Sequence, residues 1–268
     1  MPIITLLSDF GLKDPYVAEM KAVILSLCPD IRIVDISHEI EKFDIHMGAL
    51  FLASAAPYFP RNTVHLAVID PGVGTKRRPV IFQTNRSLYV GPDNGLLVLS
   101  AQTDGIKHVY QITNERYLLP KVSRTFHGRD VFAPVAARLA CGIKPNSFGS
   151  EMKNYVKPSF VEPTVRGRKI SGEVLHIDSF GNIITNISAS LLQEIHATEG
   201  AYLKVELGTR IATLKLCKAY GEAPAGTPLS IIGSHNFLEI SINVGNAGEK
   251  FGVKTGDSIK ITPTTVSH

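Results

Sequence analysis

Apolar and polar positions run along this chain in two textures. In the first half, a short, almost wholly apolar run at residues 3–7 reads as a strand buried on both faces, and further strands are expected at 31–36 and 64–69. Between them, apolar residues repeat at helical spacing: Val17, Met20, Ile24 and Leu27, then Ile45, Ala49, Leu52 and Ala56. Asp14 and Asp44 stand where helices take N-caps, and Pro15 suits a first helical position. Pro29, Pro57 and Pro60 follow the expected ends. Weaker strands are expected at 79–83, 87–90 and 108–111, and a further helix over 131–141 ahead of Gly142. The β-α-β-α-β order predicts an α/β N-terminal domain whose mostly parallel sheet lies between helices.

Near residue 165 the texture changes. Short β-rich runs at 169–178, 183–187, 201–207, 210–216, 229–232, 238–244 and 258–262 are separated by glycine turns, and only 189–196 reads as helical. This predicts an all-β, barrel-like C-terminal domain. The Pro-dotted segment 157–167 separates the two, giving expected domains of residues 1–160 and 166–268.

The chain has 268 residues and is 44% hydrophobic, enough to build a core in each of two domains. Its net charge of +4 is spread out, with dense runs only at 76–78 and 166–169. No aromatic-interleaved basic stripe accompanies them, so nucleic acid is not an expected partner. Cys28, Cys141 and Cys217 are far apart and lack CxxC spacing, which predicts neither a disulfide framework nor a zinc ribbon. The acid at Asp9 ends the first apolar run, and no run approaches the ~20 residues of a membrane span. The expected setting is cytoplasmic, without a signal peptide or a membrane partner.

In open parallel sheets, ligands bind at the carboxyl ends of strands. Polar residues collect at those places: Ser8 and Asp9; Ser37, His38 and Glu39; Asp70 and the loop to Arg77; YVGPDNG at 89–95; and TFHGRD at 125–130. Asp9, directly after an apolar strand, is placed to accept hydrogen bonds from a ribose diol. His38 and His46 fit a surface or a site equally. Asp93-Asn94-Gly95 reads as a turn, Arg129 and Asp130 as a structural pair, and Lys76 and Arg78 as a solvated loop.

The loop PGVGTKRR, 71–78, resembles a phosphate loop only superficially. Thr75 precedes Lys76 and a single residue separates the glycines, against the GxxxxGK[ST] order, and Arg77 stands where GxGxxG needs glycine. A metal site would draw on Asp9, Asp70, Asp93 and His127, yet no HxH, HExxH or DxD spacing supports one. What remains is a carboxylate, a guanidinium and an imidazole: Asp70, Arg77 and His127. Such a trio has a purpose when water is the nucleophile. The expected roles are His127 as proton acceptor with Asp70 orienting it, or Asp70 itself holding the water, with Arg77 keeping Asp70 charged; general-base help of this kind is worth roughly 10²–10⁴-fold.

The β half offers a second polar set in HIDSFGNIITNI, 176–187, with Asp178, Phe180, Asn182 and Asn186. An Asn amide presents the donor and acceptor that an adenine edge requires, and Phe180 and Tyr220 are able to stack on a base. A plain β-turn with Gly181 at positive φ and a buried Phe fits equally. Ser234, Glu239 and Asn243 surround another turn and strand, where a solvated strand face is the competing reading.

SDFG, IDPGVGT, GPDNGLL, TFHGRDVFAP, the DSFGN turn and the S-x-x-x-L-E-I strand occur in this order along nearly the whole chain. Together they resemble the S-adenosyl-L-methionine hydroxide adenosyltransferases, relatives of the fluorinating and chlorinating enzymes that use the same substrate. The resemblance implies hydrolysis of S-adenosylmethionine to adenosine and L-methionine without a cofactor or a metal. It also implies a homotrimer whose active sites lie between subunits. Asp70, Arg77 and His127 match the group credited with activating water, and Asp9 the ribose carboxylate. Asn182 matches the adenine-binding Asn, Asp178 and Ser234 the methionine end, and Glu239 and Val244 contacts around the adenosine. Tyr220 takes an aromatic position against the base. The acid at 70 and the His at 127 place the chain with the hydroxide branch, since the halogenating relatives lack both. The competing readings are a metal-dependent phosphohydrolase and a nucleoside-binding module without catalysis.

Overall fold

The computed structural model describes residues 1–158 and 162–264. The chain divides into two compact units, Met1–Ser159 and Phe160–His268. The first contains β1 (Ile3–Ser8), α1 (Tyr16–Leu27), β2 (Arg32–Ser37), α2 (Ile45–Ala55), β3 (Val64–Val68), β4 (Pro79–Thr84), β5 (Leu88–Pro92), α3 (Val98–Thr103), β6 (Ile106–Gln111) and α4 (Ala133–Ala140). Its six strands lie in the order β2-β1-β3-β5-β4-β6. Ile4 and Leu6 of β1 face a core shared with α1 and α4, and Leu7 faces one shared with α2 and α3. Both faces of the sheet are therefore covered, which is why β1 and β3 are largely apolar and why their buried Thr5 and His65 pair with each other at 2.8 Å.

The sheet is mixed, which corrects the expectation of a mostly parallel one. β2, β1, β3 and β5 pair in parallel, whereas β4 runs antiparallel to both β5 and β6. The cause is connection length. Residues 85–87 alone join β4 to β5, too few for a parallel crossover. The two first helices also start differently. The Asp44 side chain accepts from Met47 N at 2.9 Å and caps α2 as expected, but Pro15 holds the N-cap of α1 without a side-chain bond, so Asp14 does not cap.

Cys28 and Cys141 form a disulfide, contrary to the expectation from their spacing. They are 113 residues apart in sequence, with Cα atoms 6.3 Å apart in space. Each follows the last residue of a helix, α1 or α4, and those helices share one face of the sheet. Packing, not local spacing, brings the sulfurs together. Cys217 is free and buried.

The second unit contains β7 (Thr164–Arg166), β8 (Lys169–Ile177), β9 (Ile183–Ser188), α5 (Ala189–Glu194), β10 (Tyr202–Leu207), β11 (Arg210–Cys217), β12 (Pro228–Ile232), β13 (Phe237–Ile242), α6 (Ala247–Phe251) and β14 (Ser258–Thr264). The order is β14-β10-β11-β12-β13-β9-β8-β7, and β14 also pairs with β8. Seven strands thus close into a barrel, and β7 adds to the outside of β8. Alternate residues point inward, such as Leu203, Val205 and Leu207 on β10, and Leu238, Ile240 and Ile242 on β13. Full closure removes the exposed edges of an open sheet. Helix α6 lies where a turn was expected. Asn246 caps it by accepting from Glu249 N at 2.9 Å, and Gly252 ends it in the left-handed region.

Opening the disulfide frees a long loop in the unfolded chain. Dithiothreitol, or Cys141→Ser, is expected to lower the melting temperature by roughly 5–10 °C, from a loss of about 3 kcal/mol. Scanning calorimetry of the oxidised and reduced protein checks this, and identical melting temperatures would contradict it.

Candidate active site

The three residues singled out in the first domain meet. Asp70 lies two residues beyond β3, and both its carboxylate oxygens accept from Arg77: Oδ1 from Nε at 3.1 Å and Oδ2 from Nη2 at 2.5 Å. Arg77 Nη2 also donates to Nδ1 of His127 at 2.9 Å. The Asp70 and Arg77 side chains are only 5% and 7% exposed, so the pair is held away from the solvent that weakens surface ion pairs. The guanidinium carbon stands 5.2 Å from the centroid of the Phe132 ring, a further contact that favours the cation.

The loop between Asp70 and Arg77 folds back on itself. Val73 N donates to Asp70 O at 3.2 Å and Thr75 N to Gly72 O at 3.2 Å, while Thr75 Oγ1 accepts from Arg77 N at 3.3 Å. Gly74 has φ +74, and a Cβ there would overlap the carbonyl of Arg124. Glycine therefore lets this loop lie against the segment that leads into His127. His127 itself precedes a π-helical turn, Gly128–Phe132, that runs into α4. Such turns recur at functional sites.

Burial sets the protonation of the trio. It pushes the Asp70 carboxyl above the usual carboxylate value, even though Arg77 pulls the other way. It also pushes the His127 imidazole below its usual value, and the Arg77 charge adds to that. Arg77 thus anchors Asp70 without making it a weaker base than an ordinary carboxylate.

Asp9 stands at the same rim. It follows Ser8, which pairs with Val68 across β1 and β3. Its side chain is buried, and Oδ2 accepts from Phe43 N at 2.9 Å while Lys42 Nζ donates to its main-chain oxygen. Part of its accepting capacity is used within the chain, in a loop where Phe43 sits at φ 67. Nearby, the Ser8 hydroxyl and His38 Nδ1 are 2.7 Å apart, and His38 Nε2 lies 3.2 Å from Asp35, so buried His38 belongs to a local network. Arg78 is not merely a solvated loop residue. Its Nε donates to Oδ2 of buried Asp93 at 2.9 Å, and Asp93 Oδ1 accepts from Val156 N at 2.8 Å. Asp93 is thereby a structural anchor as well as part of a turn.

In the second domain the 178–182 turn closes as expected, with Gly181 at φ +83. Asp178 Oδ1 accepts from the main-chain N of Phe180 and of Asn182, both at 2.9 Å, and Oδ2 accepts from Asn182 Nδ2 at 2.9 Å. That leaves a second Nδ2 hydrogen and Oδ1 of the buried Asn182 amide for another partner. Gly181 O accepts from Ala247 N and Gly248 N at 3.0 Å each, which sets this turn against the start of α6. Phe180 is 78% exposed, which removes the reading of a buried Phe.

Glu239, on β13, is buried, and its Oε2 accepts from the Tyr220 hydroxyl at 2.9 Å. Burial raises the Glu239 carboxyl, the nearby Asp178 charge raises it further, and burial with Glu239 lifts the Tyr220 hydroxyl to about 12. Glu239 is therefore not part of a solvated strand face. Sequence reading missed one partner of this pair: a Cβ on Gly233 would overlap Glu239 Oε1. Ser234 lies exposed in the next position, 3.5 Å from its neighbour His235. Val244 is 86% exposed and has φ 54, an outlier for a β-branched residue of the kind found at ligand clamps. Among the described residues, no group of three or more His, Cys, Asp or Glu stands where it could hold a metal ion, and no helix is long and apolar enough to cross a membrane.

The first unit carries a partly buried Asp-Arg-His trio on its α/β rim, and the second carries acids, an amide and exposed aromatics; each is the kind of polar cluster that an enzyme presents to a ligand. The family models described as SAM hydroxide adenosyltransferase N-terminal and C-terminal domains match residues 4–149 and 172–260. The chain belongs to this family. Among curated proteins, it is 40% identical to the (R)-S-adenosyl-L-methionine hydrolase of Thermus thermophilus, covering 95% of this chain and 97% of that one. A fluorinase of an Actinoplanes species is 28% identical, with 97% of each chain covered. Among solved structures, an uncharacterized conserved protein from Thermotoga maritima superposes with a TM-score of 0.93 at 38% identity, over 97% of this chain and 99% of that one.

Removing Arg77 leaves Asp70 as a buried carboxylate without a counter-charge. Arg77→Met is expected to cost about 3–5 kcal/mol at pH 7. The folded-state pKa of Asp70 then rises further above its unfolded value, so the folded state binds the proton more tightly. The cost is full above that folded pKa and shrinks as pH falls towards the unfolded one. Urea denaturation at pH 7 and pH 5 checks this, and a pH-independent loss would contradict it.

Proposed function

We propose that this protein hydrolyses S-adenosyl-L-methionine to adenosine and L-methionine. The observation that carries the reading is the Arg77 guanidinium joined at once to Asp70 and His127. The names of the full-length relatives supply the substrate. A water attacks the 5′-carbon opposite sulfur. The O–C5′ bond forms as the C5′–S bond breaks, and that electron pair leaves with sulfur as neutral methionine. A water proton passes to Asp70, whose raised pKa suits an acceptor.

Methionine leaves without charge, so no acid or metal is needed to expel it. The work of the protein is to place the water in line and remove its proton. Asp9 takes the ribose diol and Asn182 the adenine edge. Phe180 and Tyr220 supply aromatic faces, Asp178 and Ser234 hold the methionine end, and Glu239 and Val244 close around the adenosine. Exposed Phe180 and strained Val244 suit surfaces that a ligand covers. A homotrimer with shared sites belongs to this reading through the family resemblance alone, and a cytoplasmic setting through the sequence reading alone.

Incubation with S-adenosylmethionine followed by chromatography is expected to give adenosine and methionine, undiminished by EDTA. Asp70→Asn should lower kcat by about 10²–10⁴-fold, whereas Asn182→Ala should raise KM about tenfold with a smaller effect on kcat. Absence of adenosine, or full turnover by Asp70→Asn, would contradict the reading. EDTA-sensitive phosphatase activity would favour a metal-dependent phosphohydrolase.

A further inference from the structure

Strand β1 ends beside a serine, a histidine and an aspartate, the side chains that make up a hydrolytic triad. Ser8 Oγ and His38 Nδ1 are 2.7 Å apart, and His38 Nε2 lies 3.2 Å from Asp35 Oδ1. Lys21 on α1 donates to Asp35 Oδ2 at 2.6 Å. A nucleophile must reach its substrate. Ser8 is fully buried, and its oxygen already accepts from Phe10 N at 3.3 Å. The trio therefore attacks nothing. What it holds is the turn that carries Asp9.

Strand register puts it there. β1 and β2 run parallel, with Leu6 opposite Asp35 and Leu7 opposite Ser37. The slip of one residue on β2 brings His38, in place of Ser37, level with Ser8. From that position His38 holds both ends of the SDFG turn. Its side chain meets Ser8, and its main-chain oxygen accepts from Gly11 N at 2.7 Å. Gly11 takes φ +70, a conformation that glycine adopts freely. Donors and acceptors also match along the path. Burial keeps the imidazole below its usual value although Asp35 pulls it up, so the ring carries one proton. Nε2 faces a carboxylate and Nδ1 a hydroxyl, which puts that proton on Nε2. Nδ1 then accepts from the Ser8 hydroxyl, whose oxygen accepts from Phe10 N. Asp9 stands between these anchors, and Phe43 N donates to its Oδ2 at 2.9 Å.

We propose that Ser8 and His38 are positioning residues for nucleoside recognition: they fix the SDFG turn so that Asp9 presents its remaining acceptor capacity to a ribose diol. Both act through Asp9. The proposal rests on the reading of Asp9 as the ribose carboxylate given above. It gives buried His38, which the sequence leaves between a surface and a site, a task at the site without contact with the reacting atoms.

Calorimetric titration of the full-length protein with adenosine and with 2′,3′-dideoxyadenosine tests this, with steady-state kinetics alongside. A carboxylate bonded to the diol is expected to make the wild type prefer adenosine by roughly 10–100-fold. Asp9→Ala should abolish that preference. Ser8→Ala, which removes one buried oxygen, and His38→Leu should each reduce it by about fivefold or more. Both should raise KM for S-adenosylmethionine with kcat held within about threefold. His38→Asn, which returns a carbonyl oxygen close to the place of Nδ1, should keep most of the preference. If His38→Leu does not fold, Ser8→Ala carries the test. A wild-type preference in folded Ser8→Ala, with the preference lost in Asp9→Ala, would overturn the positioning role alone. A fall in kcat with the preference intact would overturn it too. An intact preference in Asp9→Ala would reject Asp9 as the ribose ligand, and the proposal with it. The binding arm does not depend on turnover, so a failure to hydrolyse S-adenosylmethionine is read separately.

Discussion

Everything in the first domain converges on one fork: a buried guanidinium bonded twice to Asp70 and once to His127. Burying such charges is costly, and the cost is tolerable only when nearly every donor and acceptor is placed. The fold meets that condition from three directions. β3 delivers the acid, a tight loop returns the Arg, and the π-helical turn before α4 delivers the His. Gly74 lets the loop lie on the Arg124 carbonyl, so the three arrive together. One Arg77 nitrogen, Nη1, is the exception, buried without a partner among the described residues.

The second domain applies a different constraint. Its barrel is closed, so its candidate ligand-binding groups stand on loops at strand ends or in the wall. Asp178 and Glu239 are close enough for the first to raise the pKa of the second, and Tyr220 relieves that crowding by donating to Glu239. Two acids beside an amide and exposed aromatic surface suit a substrate that carries both a base and a positive charge.

Much of this was legible in the sequence because it was local. Largely apolar runs marked β1 and β3, alternation marked the barrel strands, and Asp9 and Asp70 could be placed on the rim by counting. What was not legible depended on distance through space. The antiparallel β4 followed from a three-residue link that reads like any other turn. The disulfide joined residues with no spacing signal, because helix packing aligned them. Arg78 read as solvated because Asp93, its partner, is fifteen residues away. Gly233 was silent because its meaning lies in a missing Cβ where Glu239 turns. The motif TFHGRD drew attention to His127, but not to the bond from Ser123 N to the buried Asp130 carboxylate, which only the folded chain brings together.

The central claim is that Asp70 and His127 act through Arg77 as one unit. A double-mutant cycle on single-turnover hydrolysis of S-adenosylmethionine tests it most directly, using Asp70→Asn, His127→Ala and the double variant. The account predicts strong non-additivity, with the double variant about as slow as the slower single one. Rate losses that simply multiply would show two independent groups and contradict it.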